Sequence, residues 1–277
     1  MAPETTALRL SGRDVLSLLH RTTSNALSDL VAGQARATLF CDFRGRLLHR
    51  AVVAVAPDGA VWLLRADAPG AELAAAVDRM IFRDDVHIED RSAEVAVRLA
   101  RHDAAYGSTV TGGASAEFRA TADGLALPVR VGAGDGMALL TSPGDTLPEA
   151  VRIAALHPRH DHEITEQFNP FEVGLAHEVH LAKGCFTGQE ALQRLITYDS
   201  VRRRPVHAQL GAAGVQVPCE VRTAGERAGV LTSVSGRDGI AVLRLDALAK
   251  AAPFVLEDGT TLEVVSAPEL TRPLGRS

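Results

Sequence analysis

Cysteine is scarce in this chain of 277 residues: Cys41, Cys185 and Cys219 are its only three. An odd number at wide spacing makes neither a disulfide framework nor a CxxC pair, so reduced thiols are expected. Structural zinc and common iron–sulfur clusters take four Cys or His ligands, so a site held by this chain alone has little to work with, although chains sharing a cluster would escape that limit. No run is long and apolar enough to cross a bilayer, and Met1–Thr6 lacks the basic start and apolar stretch of a secretory signal. A cytoplasmic protein without a membrane partner is expected. Surplus positive charge is missing too. With 29 Lys and Arg against 34 Asp and Glu, the formal charge is -5, which leaves no chain-wide basic track for nucleic acid. Glycine-rich phosphate loops are also absent, because Gly112-Gly113 and Gly132–Gly136 lack the spacing and the strand-to-helix setting and read as turns.

What is present suits a folded α+β protein. Hydrophobic residues make up 46% of the chain, enough for one large core or two smaller ones. Leu8–Leu10 reads as a strand, and Asp14–Thr22 as a helix carrying Val15, Leu16, Leu18 and Leu19 on one face. Ala35–Cys41 and His49–Ala56 read as strands, the second joined to Val61–Leu64 through the turn Pro57-Asp58-Gly59. Ala68–Phe82 has Leu73, Val77 and Ile81 at helical spacing, and Val86–Glu89 and Val95–Leu99 return to strand. This mixed order is not the regular βαβ alternation of a dinucleotide fold. Beyond Pro205, short β-rich runs take over at Val206–Leu210, Gly229–Ser233, Ile240–Leu245 and Leu262–Val265. They predict a small barrel-like domain over 205–277, behind a body over 1–204.

Chemistry concentrates in Lys183-Gly184-Cys185-Phe186-Thr187-Gly188-Gln189-Glu190, which leads into a helix with Ala191, Leu192, Leu195 and Ile196 as its apolar stripe. Cys185 sits on a glycine-flanked turn before that helix. The helix N-terminus and Lys183 would both favour a thiolate there. The alternative stays open that the glycines shape a tight loop and Cys185 packs beneath it. Further on, Arg202-Arg203-Arg204 adds local positive charge.

This eight-residue block, with Arg194 and Val201–Arg204 after it, resembles the signature of the YgfZ family of folate-binding proteins. Leu8–Leu30, Phe82–Asp90, Arg152-Ile153, Pro170–Leu175 and Gly229–Ser233 follow in the family's order, so the likeness spans the chain. It implies a body of two interleaved subdomains related to the glycine-cleavage T-protein (GcvT-like) and a C-terminal β-barrel. The implied ligand is tetrahydrofolate or a derivative, and the implied role is assembly or maintenance of iron–sulfur enzymes, with tRNA modification affected through them. The implied partners are iron–sulfur client or assembly proteins. The functional thiol, in the catalytic position if there is one, maps to Cys185. The cofactor-binding set maps to Lys183, Gly184, Gln189, Glu190, Arg194, Arg202 and Arg203, with the arginines and Lys183 facing the folate's glutamyl tail.

Three other readings compete. The T-protein is a folate-dependent aminomethyltransferase that carries paired aspartates where this chain has His49 and Arg50, and an Arg-x-Glu-x-Gly where this chain has Arg152-Ile153-Ala154-Ala155-Leu156. Neither His49 nor Ala154 supplies a carboxylate, which argues against aminomethyl transfer. A metal-dependent hydrolase is suggested by His157-Pro158-Arg159-His160-Asp161-His162-Glu163, but Pro158 breaks helical periodicity and the motif is not HExxH. No metal is therefore expected on that loop, which reads as a polar segment beside a folate cleft. Direct tRNA binding is not expected from a single aromatic-poor basic run.

Overall fold

The structure, a computed structural model, describes residues 5–101, 116–117, 119–121, 124–131, 134–141, 144–250 and 252–275. The Gly112-Gly113 turn and Gly132-Ala133 lie outside the described residues. In chain order come β1 (Thr6–Ser11), α1 (Val15–Thr22), β2 (Gln34–Cys41), β3 (Leu47–Val55), β4 (Val61–Arg65), α2 (Gly70–Asp78), β5 (His87–Asp90), β6 (Arg98–Arg101), β7 (Ala116–Glu117), β8 (Arg119–Thr121), β9 (Gly124–Val131), β10 (Gly134–Leu140) and α3 (Glu149–Ala154). These strands form two antiparallel sheets, ordered β5-β1-β4-β3-β2-β7 and β6-β10-β9-β8.

The alternation of side chains along a strand divides the first sheet into two unlike faces. Leu8, Leu10, Val53, Val55 and Leu63 point one way and pack under Val15, Leu18 and Leu19 of α1 and Leu73 and Val77 of α2. Each large aliphatic side chain buried there contributes about 1.5–3 kcal/mol. Ala7, Ala35, Val52, Ala54 and Leu64 point the other way, toward Val97 and Leu99. Small residues on this second face leave room for a cleft. α2 stops at Asp78, short of the expected Phe82, because its apolar face runs out: Met80 and Ile81 are only partly buried and Phe82 is exposed.

A third core lies beneath β2 and β3. Leu39, Cys41 and Leu47 meet Phe168, Phe171, Val173 and Val179 from an irregular segment, together with Leu192 of α4 (Gln189–Thr197). Asn169 starts that segment's first 3-10 turn by accepting from the N–H of Phe171 at 3.0 Å and of Glu172 at 3.2 Å, while Glu172 accepts from the Asn169 N–H at 3.2 Å. Three backbone donors are thereby satisfied, two of them reciprocally.

The last domain is a closed barrel in the order β11-β14-β13-β12-β15-β16. Its elements are β11 (Arg203–Leu210), β12 (Cys219–Thr223), β13 (Glu226–Ser235), β14 (Asp238–Arg244), α5 (Leu245–Leu248), β15 (Phe254–Leu256) and β16 (Thr261–Ser266). Pro205 lies inside β11, opposite Val242, so the strand begins two residues ahead of it. β12 and β15, which sequence patterning missed, close the ring and remove its free edges. Ile240 of β14 packs on Ile153 and Leu156, tying the barrel to α3. Among the described residues no helix is long and apolar enough to cross a membrane.

Candidate functional site

The signature loop is shaped by close backbone approach. Gly188 has φ 84°, and a Cβ placed on it would sit 2.4 Å from the Asp42 carbonyl oxygen in the turn between β2 and β3. Gly45 in that same turn has φ 73°, and its Cβ would meet Leu192 of α4 at 2.9 Å. Glycine is thus required on both sides of the contact. Gly184, at φ 111°, has nothing within 4 Å of the Cβ position, so only its backbone conformation calls for glycine.

The loop presents Cys185 to solvent, whereas Cys41 is buried and Cys219 is intermediate. Burial in the core pushes the Cys41 thiol up to about 12, with Asp42 adding to it, so Cys41 stays protonated and inert. Lys183 is tied back to α1: its ammonium donates to the His20 carbonyl, and His20 Nε2 lies 3.0 Å from the Lys183 carbonyl oxygen. It also stands 4.9 Å over the Phe186 ring. Burial pulls its amine down to about 8, an effect partly offset by the nearby Cys185. Gln189 donates to the Leu181 carbonyl at 2.8 Å and closes the loop.

A second feature lies on the small-residue face of the first sheet: a cleft of about 500 Å³ walled by β3, β4 and the segments around 146–149 and 157–162. Its volume is within the range of small-molecule sites. Arg50 projects from β3 into a buried bidentate pair with Glu178, with Nη2 2.5 Å from Oε1 and Nε 3.0 Å from both oxygens. Burial pushes the Glu178 carboxyl up, but Arg50, with His177, outweighs it and holds the group near 2. Arg152 is gripped by Glu149 at 2.7 and 2.9 Å and donates to Ser233 of the barrel at 2.7 Å. Glu163 accepts from that same Ser233 hydroxyl at 2.8 Å, and His162 Nδ1 lies 2.7 Å from the Thr232 carbonyl, so β13 backs the histidine-rich loop.

Arg65 differs from the other cleft arginines. It is 4% exposed and forms no ion pair among the described residues. Its Nε donates to Thr6 Oγ1 at 2.9 Å, Nη2 to the Pro69 carbonyl at 2.6 Å, and Nη1 faces His49 Nδ1 at 3.3 Å. The resulting desolvation lowers its pKa, against the pull of Asp67, Glu72 and Asp161. Burying a guanidinium without an ion-pair partner is costly, and an anion in the cleft would offset that cost.

The residues assigned from the signature fall into two groups. Lys183, Gly184, Cys185 and Gln189 share one loop, with Glu190 and Arg194 exposed on α4 beyond it. Arg202 and Arg203 stand at the start of the barrel, where Arg203 is spoken for by Glu172 at 2.7 Å. None of the eight lines the cleft. What lines it instead, namely Arg50, Arg65, Glu149, Arg152, His157 and His160, was not assigned from sequence as a binding set. Ala154, the expected place of a pterin carboxylate, is exposed on α3, whereas Glu149 on the same helix puts a carboxylate into the cleft wall.

Comparison with known proteins bears on both domains. Residues 202–270 match a family model, the CAF17 C-terminal beta-barrel domain. A putative chloroplastic transferase from Arabidopsis thaliana is 30% identical in a 133-residue alignment covering 40% of this chain. That match spans only 31% of the relative's length. The crystal structure of the glycine cleavage system aminomethyltransferase T from Bartonella henselae superposes with a TM-score of 0.72 at 15% identity, over 98% of this chain and 86% of that one. At such low identity the likeness is one of fold.

Proposed function

With a CAF17-type barrel on an aminomethyltransferase-like body, the chain is a member of the YgfZ/CAF17 family, and we propose that it is a cytoplasmic folate-binding protein that supports assembly or maintenance of iron–sulfur enzymes without aminomethyl transfer. The observation that carries the folate reading is Arg65, a buried guanidinium in the cleft with no ion-pair partner among the described residues. Tetrahydrofolate and its derivatives bring carboxylates to it, and the apolar wall of Val52, Leu64 and Leu99 suits a flat aromatic ring system.

The same geometry argues against group transfer. At the β3 position where the aminomethyltransferase pattern has an acid, this chain has Arg50, whose charge is consumed by Glu178. At that position of β3 itself, no carboxylate is left to manage the proton of an attacking amine. Action on iron–sulfur clients, with any effect on tRNA modification passing through them, assigns the exposed Cys185 loop a contact role separate from the cleft.

Two assays test the proposal. Tetrahydrofolate-dependent release of ammonia from an aminomethyl-lipoyl donor is expected to be absent, and measurable turnover would restore the transferase reading. Cells deleted for the gene are expected to lose iron–sulfur enzyme activity and regain it on complementation; unchanged activity in the deletion would remove the maintenance role.

A further inference from the structure

Three potential ligands line a second cavity of about 600 Å³, which shares His160 and Asp161 with the cleft. His49 comes from β3, Glu72 from the first turn of α2, and His160 from the histidine-rich loop, each offering a ligand atom within 4.8 Å of the others. We propose that His49, Glu72 and His160 form a binding site for one divalent first-row transition-metal ion of the zinc, cobalt or iron(II) kind. Two imidazoles and one carboxylate are the donor set such ions favour over magnesium or calcium.

The spacing fits the ion. Four-coordinate zinc bound at its usual distances to nitrogen and oxygen holds adjacent ligand atoms about 3.4 Å apart. His160 Nε2 lies 3.5 Å from Glu72 Oε2 and 3.5 Å from Asp161 Oδ1, close to two such edges and longer than a good hydrogen bond. Asp161, held at φ 60° in a conformation that few non-glycine residues adopt, adds negative charge beside His160. His160 is 8% exposed, its Nδ1 has no hydrogen-bond partner, and its backbone N–H is anchored to Asp67 at 2.8 Å. A buried imidazole held in place by its main chain, with Nε2 on the side of Glu72, is a ligand already positioned before the ion arrives.

Opposing charges are also present. Burial, then Arg65, His160 and Arg79, disfavours positive charge at His49, while Asp161 favours it. Coordination through Nε2 of His49 moves the ring proton to Nδ1 and ends the 3.3 Å contact with Arg65. Three carboxylates, Glu72, Asp161 and Asp67, face the cluster from α2, the loop and the end of β4. With a dication they leave the site near neutrality.

The test uses the full chain after chelator treatment, titrated with Co²⁺ and followed by visible absorption, then with Zn²⁺ as competitor. One equivalent is expected to give the intense d–d bands of four-coordinate cobalt, and zinc is expected to abolish them. Glu72→Gln, whose side chain is 73% exposed and so not needed for folding, should weaken binding at least about tenfold. His160→Asn should abolish it, with circular dichroism confirming the fold. Glu94→Gln, an exposed carboxylate outside the cluster, should bind like the parent. No saturable absorption at millimolar Co²⁺, or equal binding by the parent, Glu72→Gln and His160→Asn, would overturn the proposal and mark any bound metal as adventitious. The readout needs no folate, so the result stands apart from the fate of the folate reading.

Discussion

Replacing Glu178 with Gln keeps shape and removes charge beside a buried guanidinium. Glu178 is held near 2 against an ordinary value of 4.5, and at about 1.4 kcal/mol per pKa unit that depression corresponds to about 3 kcal/mol of stability at neutral pH. Breaking one side of a buried ion pair by mutation costs about 3–5 kcal/mol, so the two routes agree. The sign follows from the depressed folded pKa: the contribution is complete above about pH 5 and disappears as pH falls toward 2. Urea unfolding of parent and Glu178→Gln at pH 7 should therefore differ by about 3 kcal/mol, with Tm lower by about 6–12 °C, and the gap should close in acid. The double variant Arg50→Met/Glu178→Leu should recover most of the loss, since no charge is then left buried. A single-variant loss below about 1 kcal/mol, or a gap independent of pH, would refute the view that Arg50 is neutralised by Glu178 and so withdrawn from chemistry.

Gly188→Ala must both accept a left-handed backbone and displace the Asp42 carbonyl, which predicts a loss of at least about 2 kcal/mol, against about 1–2 kcal/mol for Gly184→Ala, which meets nothing; equal losses on chemical denaturation would contradict that reading of the loop. Lys183 and Lys250 are the chain's two lysines, so acylation mapped by peptide mass should show Lys183 reaching half its maximal rate near pH 8; a midpoint above about 10, the ordinary lysine value, would refute its desolvation. Cys185→Ser should stay soluble yet fail to restore iron–sulfur enzyme activity to a deletion strain under oxidative stress, while Cys41→Ser and Cys219→Ser restore it. Full rescue by Cys185→Ser would make the thiol incidental.

The strands of the first sheet were legible as short apolar runs at Leu8–Leu10, Ala35–Cys41, His49–Ala56 and Val61–Leu64, whereas its two unlike faces emerge only once those strands pair. The signature loop was legible for a similar local reason: Gly184, Gly188 and the apolar stripe of α4 are contiguous. The cleft was not. Arg50, Arg65, Glu149 and His160 belong to four separate segments, and each alone reads as a polar residue on an amphipathic element. The histidines of the loop, close together in sequence, part company in the fold. His157 faces Arg50 at 3.3 Å and His162 turns to the barrel, leaving His160 to meet His49 and Glu72, which no spacing rule connects to it. β12 was missed because only Val221 and Thr223 of its five residues are buried, and β15 because three residues carry too little pattern.

Isothermal calorimetry with tetrahydrofolate, on the parent and on Ala66→Trp, tests the folate reading most directly, because Ala66 lines the cleft and an indole there fills it. One site is predicted on the parent, in the micromolar range or weaker, corresponding to about -8 kcal/mol or less favourable, and no binding to the filled variant. Absence of heat and of thermal protection at millimolar ligand, or undiminished binding to Ala66→Trp, would contradict it.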